Sequence, residues 1–287
     1  GFVDMTIAQR SPGSTLKPVI YGLAFDRGLA DPQTMISDTP VSFGTYAPQN
    51  FDRVFRGDVT VARALQLSLN IPVVRLTEAM GPAHLLAALR QAGADPELSG
   101  KAPGLAVSLG GIGLSLRDLV QVYAALAQGG HAVPLRWRSE PSGDTAAMPV
   151  LSRAAAWHVG NVLAQIVPPP AAGPPGRVAW KTGTSYGHRD AWALGWDGRH
   201  VAGVWIGRPD GTPVPGAFGG DLAAPALFEV LARARGGTPA PLSAPPPETL
   251  LVPTAHLPVR LQRFGAPVGA VSDLTVVFPP DGAVLDD

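Results

Sequence analysis

Three short groups of residues could together do covalent chemistry on a carbonyl: Ser14-Thr15-Leu16-Lys17, Ser68-Leu69-Asn70 and Lys181-Thr182-Gly183-Thr184. Ser14 and Lys17 lie about one helical turn apart, so hydroxyl and amine share a face and the amine can accept the hydroxyl proton. Lysine is otherwise nearly absent: Lys17, Lys101 and Lys181 stand against nineteen arginines among 287 residues. A guanidinium keeps its proton in a protein, whereas a lysine ammonium can lose it when buried among other cations. Two of three lysines falling in these groups points to lysine chemistry rather than surface charge. Lys101, in a Gly/Pro-flanked loop, has no assigned task.

Taken singly, each group has a plain explanation. Ser-x-x-Lys can be a capping serine beside a solvated lysine, Ser68 and Asn70 can be local caps at a helix break, and Lys181 can be an exposed strand residue before a turn. Order and setting change that reading. Leu16, Val19, Ile20, Leu23 and Ala24 recur at helical spacing, and Pro18, tolerated only in a first turn, places Ser14 at or next to the helix N-terminus. Residues 31–58 are rich in Pro, Gly, Asn and Asp and read as irregular. A helix over Thr60 to Ser68 then breaks at Ser68-Leu69-Asn70, and Pro72 opens another to about Met80.

Further helices are predicted over His84 to Ala92, over Leu116 to Gln128 with Ser115 and Asp118 as a capping box, and after Ser152. Strands follow at Val178 to Gly183, Ala191 to Trp196 and Val201 to Gly207, with Asp197-Gly198 as a hairpin turn. A helix from about Leu222 to Arg235 closes the unit. Residues 236–253 read as a Pro/Ala-rich linker, and Leu274 to Phe278 as a strand in a short tail. Helix, loop and strand thus each carry the group that serine acyl transfer needs from them.

Composition limits the alternatives. With 46% hydrophobic residues the chain can bury a substantial core. Formal net charge is zero and basic residues are scattered, so a nucleic-acid surface or polybasic membrane patch is not expected. The absence of cysteine removes thiol nucleophiles and disulfides. The six histidines show no metal-ligand spacing, so neither metal nor cofactor is expected.

The three groups, the context Arg10-Ser11-Pro12-Gly13 and the run Trp180 to Trp192 resemble the transpeptidase domain of class A penicillin-binding proteins. Ile206 to Pro215 is most similar to their 1C subtype, and Phe278-Pro279-Pro280-Asp281-Gly282 looks like the opening of its extra C-terminal β domain. The likeness covers residues 1–235, with 254–287 as the start of that further domain. It implies an α+β fold of the serine β-lactamase and penicillin-binding type, an antiparallel sheet packed between helices. Because only thirteen residues precede Ser14, two of five strands are expected to be missing, leaving Val201 to Gly207 as an edge and the chain by itself poorly stable or inactive. The family's membrane anchor and glycosyltransferase domain are expected outside this chain.

The same resemblance implies D,D-transpeptidation of peptidoglycan stem peptides ending in D-Ala-D-Ala, at the periplasmic face of the bacterial inner membrane, and covalent binding of β-lactams. Ser14 would be the nucleophile, Lys17 the general base, Ser68 the proton shuttle and Asn70 the orienting amide. Lys181, Thr182 and Thr184 would hold the substrate carboxylate, and Gly183 would let the substrate strand lie against the backbone. Lys181 is expected to keep its charge and to lower the pKa of Lys17. A D,D-carboxypeptidase or a non-turnover β-lactam or muropeptide sensor would use the same residues.

Other readings fit less well. A class A β-lactamase needs a glutamate four residues before an asparagine, and none of Glu78, Glu97, Glu140 or Glu229 has that partner. Gly183-Thr184-Ser185-Tyr186-Gly187 matches a nucleophile elbow, but a strand rather than a helix follows Ser185. Gly110-Gly111-Ile112-Gly113 lacks the strand-to-helix setting of a phosphate loop and is expected to be a tight turn.

Overall fold

The computed structural model describes residues 3–98, 100, 102–136, 146–170 and 172–265. At the centre lies an antiparallel sheet of three strands, β5 (Ala179–Thr184), β6 (Asp190–Trp196) and β7 (Val201–Gly207), in the order β5-β6-β7. β6 is buried along its whole length. Its alternation sends Trp192, Leu194 and Trp196 to the larger core, and Ala193 to a smaller one beneath α7 (Ala224–Arg235). The larger core also takes in α1 (Lys17–Asp26), α5 (Leu116–Ala127) and α6 (Arg153–Ala164). The sheet is therefore sandwiched between helices, the α+β arrangement expected. Among the described residues β7 pairs only with β6 and forms an outer edge.

The helices start where the sequence places their caps. Thr60 caps α2 (Val61–Gln66), Ser152 caps α6, and Ser115 with Asp118 forms the full capping box of α5. α4 (Pro82–Gln91) begins at its proline, two residues before the His84 expected. α3 (Asn70–Met80) begins two residues before Pro72, so Asn70 is its first residue.

Three expectations change. Residues 31–58 are not wholly irregular: β1 (Met35–Asp38) pairs antiparallel with β2 (Gly57–Thr60), Asp38 opposite Gly57. These strands are four residues each, too short to show a period amid turn-rich sequence. The β6 to β7 turn is four residues rather than two: the Asp197 N–H bonds the His200 carbonyl at 3.0 Å, and the Asp197 carboxylate accepts the N–H groups of Arg199 and His200. Part of the segment read as a Pro/Ala-rich linker is docked, because the Gly198 N–H bonds the Ala240 carbonyl and the Trp157 indole donates to the Ser243 carbonyl. Beyond it, α8 (Val259–Gln262) and its neighbours return to β1, where the Phe264 N–H bonds the Met35 carbonyl at 2.8 Å. A minor pair, β3 (His131–Ala132) with β4 (Met148–Pro149), joins α5 to α6. Lys101 and the tail strand Leu274 to Phe278, with Phe278 to Gly282, lie outside the described residues.

Candidate active site

Ser14 sits in a 3-10 turn, Gly13–Leu16, that runs directly into α1, and the Lys17 N–H closes it on the Ser14 carbonyl. The turn is held from three sides. The Trp192 indole of β6 donates to the Ser11 carbonyl at 2.9 Å, the Tyr123 hydroxyl of α5 to the Thr15 carbonyl at 2.9 Å, and the Ser11 hydroxyl to the Gly110 carbonyl at 2.7 Å. Gly110, with φ +95°, lies so close to Gly13 that an added Cβ would meet the Gly13 nitrogen at 2.5 Å. The glycine-rich motif at 110–113 is thus the tight turn expected, packed under the serine.

β5 presses on the same turn. A Cβ on Gly13, whose φ is +53°, would fall 2.6 Å from the Thr184 carbonyl oxygen. One on Gly183 would lie 2.6 Å from the Pro12 carbonyl oxygen and 2.7 Å from the Thr15 methyl. This corrects the reason expected for glycine at 183: the missing side chain makes room for the nucleophile turn, not for substrate. On the outer side, the Gly219 N–H donates to the Thr184 hydroxyl at 3.1 Å.

Between α2 and α3 the chain makes a Schellman turn. The Ser68 N–H bonds the Leu65 carbonyl and the Leu69 N–H bonds the Ala64 carbonyl, which puts Ser68 at the position usually taken by glycine. Ser68 is left-handed, φ 57°, a conformation that costs a non-glycine residue about 1–2 kcal/mol. In that conformation, two successive carbonyl groups face Lys17. The Lys17 Nζ donates to the Ser68 carbonyl at 2.5 Å, the Asn70 Oδ1 at 2.7 Å and the Leu69 carbonyl at 3.1 Å, with the Ser68 Oγ at 3.3 Å.

Lys17 is fully buried. Burial first, and then the charge of Lys181, hold its pKa well below the ordinary lysine value, against the opposing pull of Asp38. Lys181 is 3% exposed and donates to the Thr182 carbonyl at 2.8 Å. Burial brings its own pKa down to about 7. The elements that carry these residues therefore converge: Lys17 of α1 is bonded to the Schellman turn, and β5 packs on the turn that holds Ser14. A hydroxyl beside an amine of lowered pKa can be deprotonated and acylated; a second buried cation can receive a carboxylate.

Ser185 takes no part in this. It is buried, and its hydroxyl accepts the Asp190 N–H at 2.9 Å within the β5 to β6 turn. Phe51 meets His188, in the β5 to β6 turn, and Phe218 edge-on at 6.1 and 5.8 Å between ring centroids. Sequence reasoning missed Phe51, and also Asp38 and Asn50: Asn50 accepts the Asn70 N–H at the end of the Schellman turn, and Asp38 holds Asn50. Only the turn-rich character of 31–58 hinted that this stretch held anything specific.

A family model described as the penicillin binding protein transpeptidase domain matches residues 3–207. Penicillin-binding protein 1C of Escherichia coli is 46% identical over 234 residues, which are 80% of this chain and 30% of that protein. Penicillin-binding protein 1B of Vibrio cholerae is 31% identical over 238 residues, 74% of this chain and 30% of that protein. The chain thus spans less than a third of the length of these relatives. The structure of PonA1 from Mycobacterium tuberculosis in complex with penicillin V shares the fold, with a TM-score of 0.73 at 22% identity, covering 87% of this chain and 75% of that one.

Proposed function

The chain belongs to the penicillin-binding protein transpeptidase family, and on that premise we propose that it is a serine D,D-transpeptidase whose acyl-enzyme forms on Ser14. Lys17 takes the Ser14 proton as Oγ attacks the carbonyl between two terminal D-alanines. The C–N bond then breaks, Ser68 passes a proton to the leaving amine, and free D-alanine departs. Asn70 orients Lys17 and the substrate amide. The backbone N–H groups of Ser14 and Thr184 hold the oxyanion, the first of them near a helix N-terminus. Lys181, with the hydroxyls of Thr182 and Thr184, receives the terminal carboxylate. A second stem peptide's amine then attacks the ester and releases Ser14. A β-lactam acylates the same oxygen, but its ring-opened amine stays tethered.

The observation that carries this reading is the placement of Lys17: buried, ringed by oxygens of the Ser68 to Asn70 turn, one turn from Ser14 and within the field of Lys181. Residues 1–235 would form the catalytic unit, working on peptidoglycan at the outer face of the bacterial inner membrane. The test is intact-mass measurement after incubation with a fluorescent penicillin, on chain shown to unfold cooperatively. Adduct on wild type and none on Ser14→Ala is expected. No adduct on the folded wild type, or an equal adduct on Ser14→Ala, overturns the assignment. Adduct also disposes of the expectation that the chain is inactive by itself.

A further inference from the structure

Asp38 is fully buried in β1 and forms no ion pair within 4 Å among the described residues. Its carboxylate accepts the Asn50 amide at 2.9 and 2.8 Å and the Arg56 N–H at 2.9 Å. Asn50, 4% exposed, gives its other amide contact to the Val54 carbonyl at 2.9 Å, and its Oδ1 accepts the Asn70 N–H at 2.7 Å. The orientation of this amide is fixed by chemistry: one end meets only acceptors and the other a backbone donor. Asn70 is fixed in the same way, its Nδ2 donating to the Gln49 carbonyl at 2.7 Å and its Oδ1 receiving Lys17. An unbroken path of bonds therefore runs from Asp38 through Asn50 and Asn70 to the Lys17 Nζ.

We propose that Asp38 and Asn50 are positioning residues for Lys17, the carboxylate fixing the amide that fixes the start of α3 and so the oxygen on which the ammonium rests. The proposal rests on the reading of Ser14 and Lys17 given above. A staple for the 49–56 loop would need only hydrogen bonds, which a neutral side chain supplies at smaller desolvation cost. A buried negative charge has a further use here, because two lysines are buried beside it. Asp38 opposes the fall in the Lys17 pKa that burial and Lys181 cause. The groups facing Lys17 are then Lys181 from β5, Asp38 from β1 and the uncharged oxygens of the Schellman turn, while the buried Tyr21 phenol on α1 is kept neutral by its own burial.

The test compares the second-order rate of acylation by a fluorescent penicillin, across pH, in the full chain as wild type, Asp38→Asn and Asn50→Ala, each checked for cooperative unfolding. Loss of tight positioning is expected to slow both variants on the order of ten- to a hundred-fold. Acylation needs neutral Lys17, so its rate rises with pH through the Lys17 titration. Asp38→Asn removes a negative charge, eases loss of that proton, and is expected to move this acid limb to lower pH. Asn50→Ala keeps the carboxylate and is expected to leave the limb in place. Wild-type rate and limb in a folded Asp38→Asn chain overturn the proposal. So does a slowed rate with an unmoved limb, or loss of the fold in both variants, since each assigns the pair to packing alone. A folded wild type without adduct sinks the Ser14 reading and this one with it; adduct on wild type with unaltered variants sinks only this one.

Discussion

Carboxylate binding at this site should weaken as pH rises through about 7, the value to which burial brings Lys181. The ammonium attracts a carboxylate strongly, whereas the amine offers only neutral donors. Because the folded-state pKa is lowered, Lys181 of the empty site is charged below about 7 and loses its charge above it. At pH 8 about one site in eleven is still protonated, so apparent affinity falls roughly elevenfold from its acid plateau, ~1.4 kcal/mol. By pH 9 the loss is about a hundredfold. The assay is fluorescence polarisation with a labelled peptide ending in D-Ala-D-Ala, titrated into Ser14→Ala so that no acyl-enzyme intervenes. Lys181→Met should bind weakly and with no slope over the same range. A dissociation constant that is flat from pH 6 to 9 in the Ser14→Ala chain would refute the reasoning, either because Lys181 stays charged or because it does not hold the carboxylate.

Lys17→Arg should abolish acylation in the penicillin adduct assay, since a guanidinium cannot give up its proton and the site has no spare room around a fully buried side chain. Ser68→Gly should raise stability in denaturant titrations by about 0.5–1 kcal/mol, relieving the left-handed serine of the Schellman turn, while acylation falls with the lost hydroxyl. Gly13→Ala should lower stability by roughly 2–4 kcal/mol and abolish adduct, because its Cβ would lie 2.6 Å from the Thr184 carbonyl oxygen in a backbone that disfavours any side chain; a normal melting temperature would contradict that.

The parts of the site that could be read from sequence are those written locally. Ser14 and Lys17 declare themselves within a turn of helix, Lys181 to Thr184 within one strand, and Ser68 to Asn70 as a break between two periodic runs. The individual helices and the strands β5 to β7 were legible for the same reason, since apolar period and capping residues are short-range signals, whereas their packing as a sandwich was what the family resemblance implied. Asp38 and Asn50 were not, because their meaning is a set of bonds to Asn70 and, through it, Lys17, formed across a pairing of four-residue strands. The docking of Ala240 and Ser243 was hidden too, since proline-rich sequence looks the same packed or free. Gly183 was marked correctly as special but for a different neighbour, which only the approach of β5 to Pro12 and Thr15 reveals.

The return of the chain to β1 has a consequence for the order of folding. The Thr34 hydroxyl reaches the Leu261 carbonyl, the Thr254 hydroxyl the Gln33 carbonyl, and Arg263 the Asp58 carboxylate, across 227, 221 and 205 residues of sequence. Closing loops of that length is entropically costly and contacts so distant in sequence form slowly. On a ribosome, helices α1 to α6 can gather around their apolar faces early, yet the hairpin that carries Asp38 gains its outer partner only once residues near 264 have emerged. The outer edge of β1 is therefore covered late, and a nascent or truncated chain ending before residue 254 would hold all three motifs with that strand still unclasped.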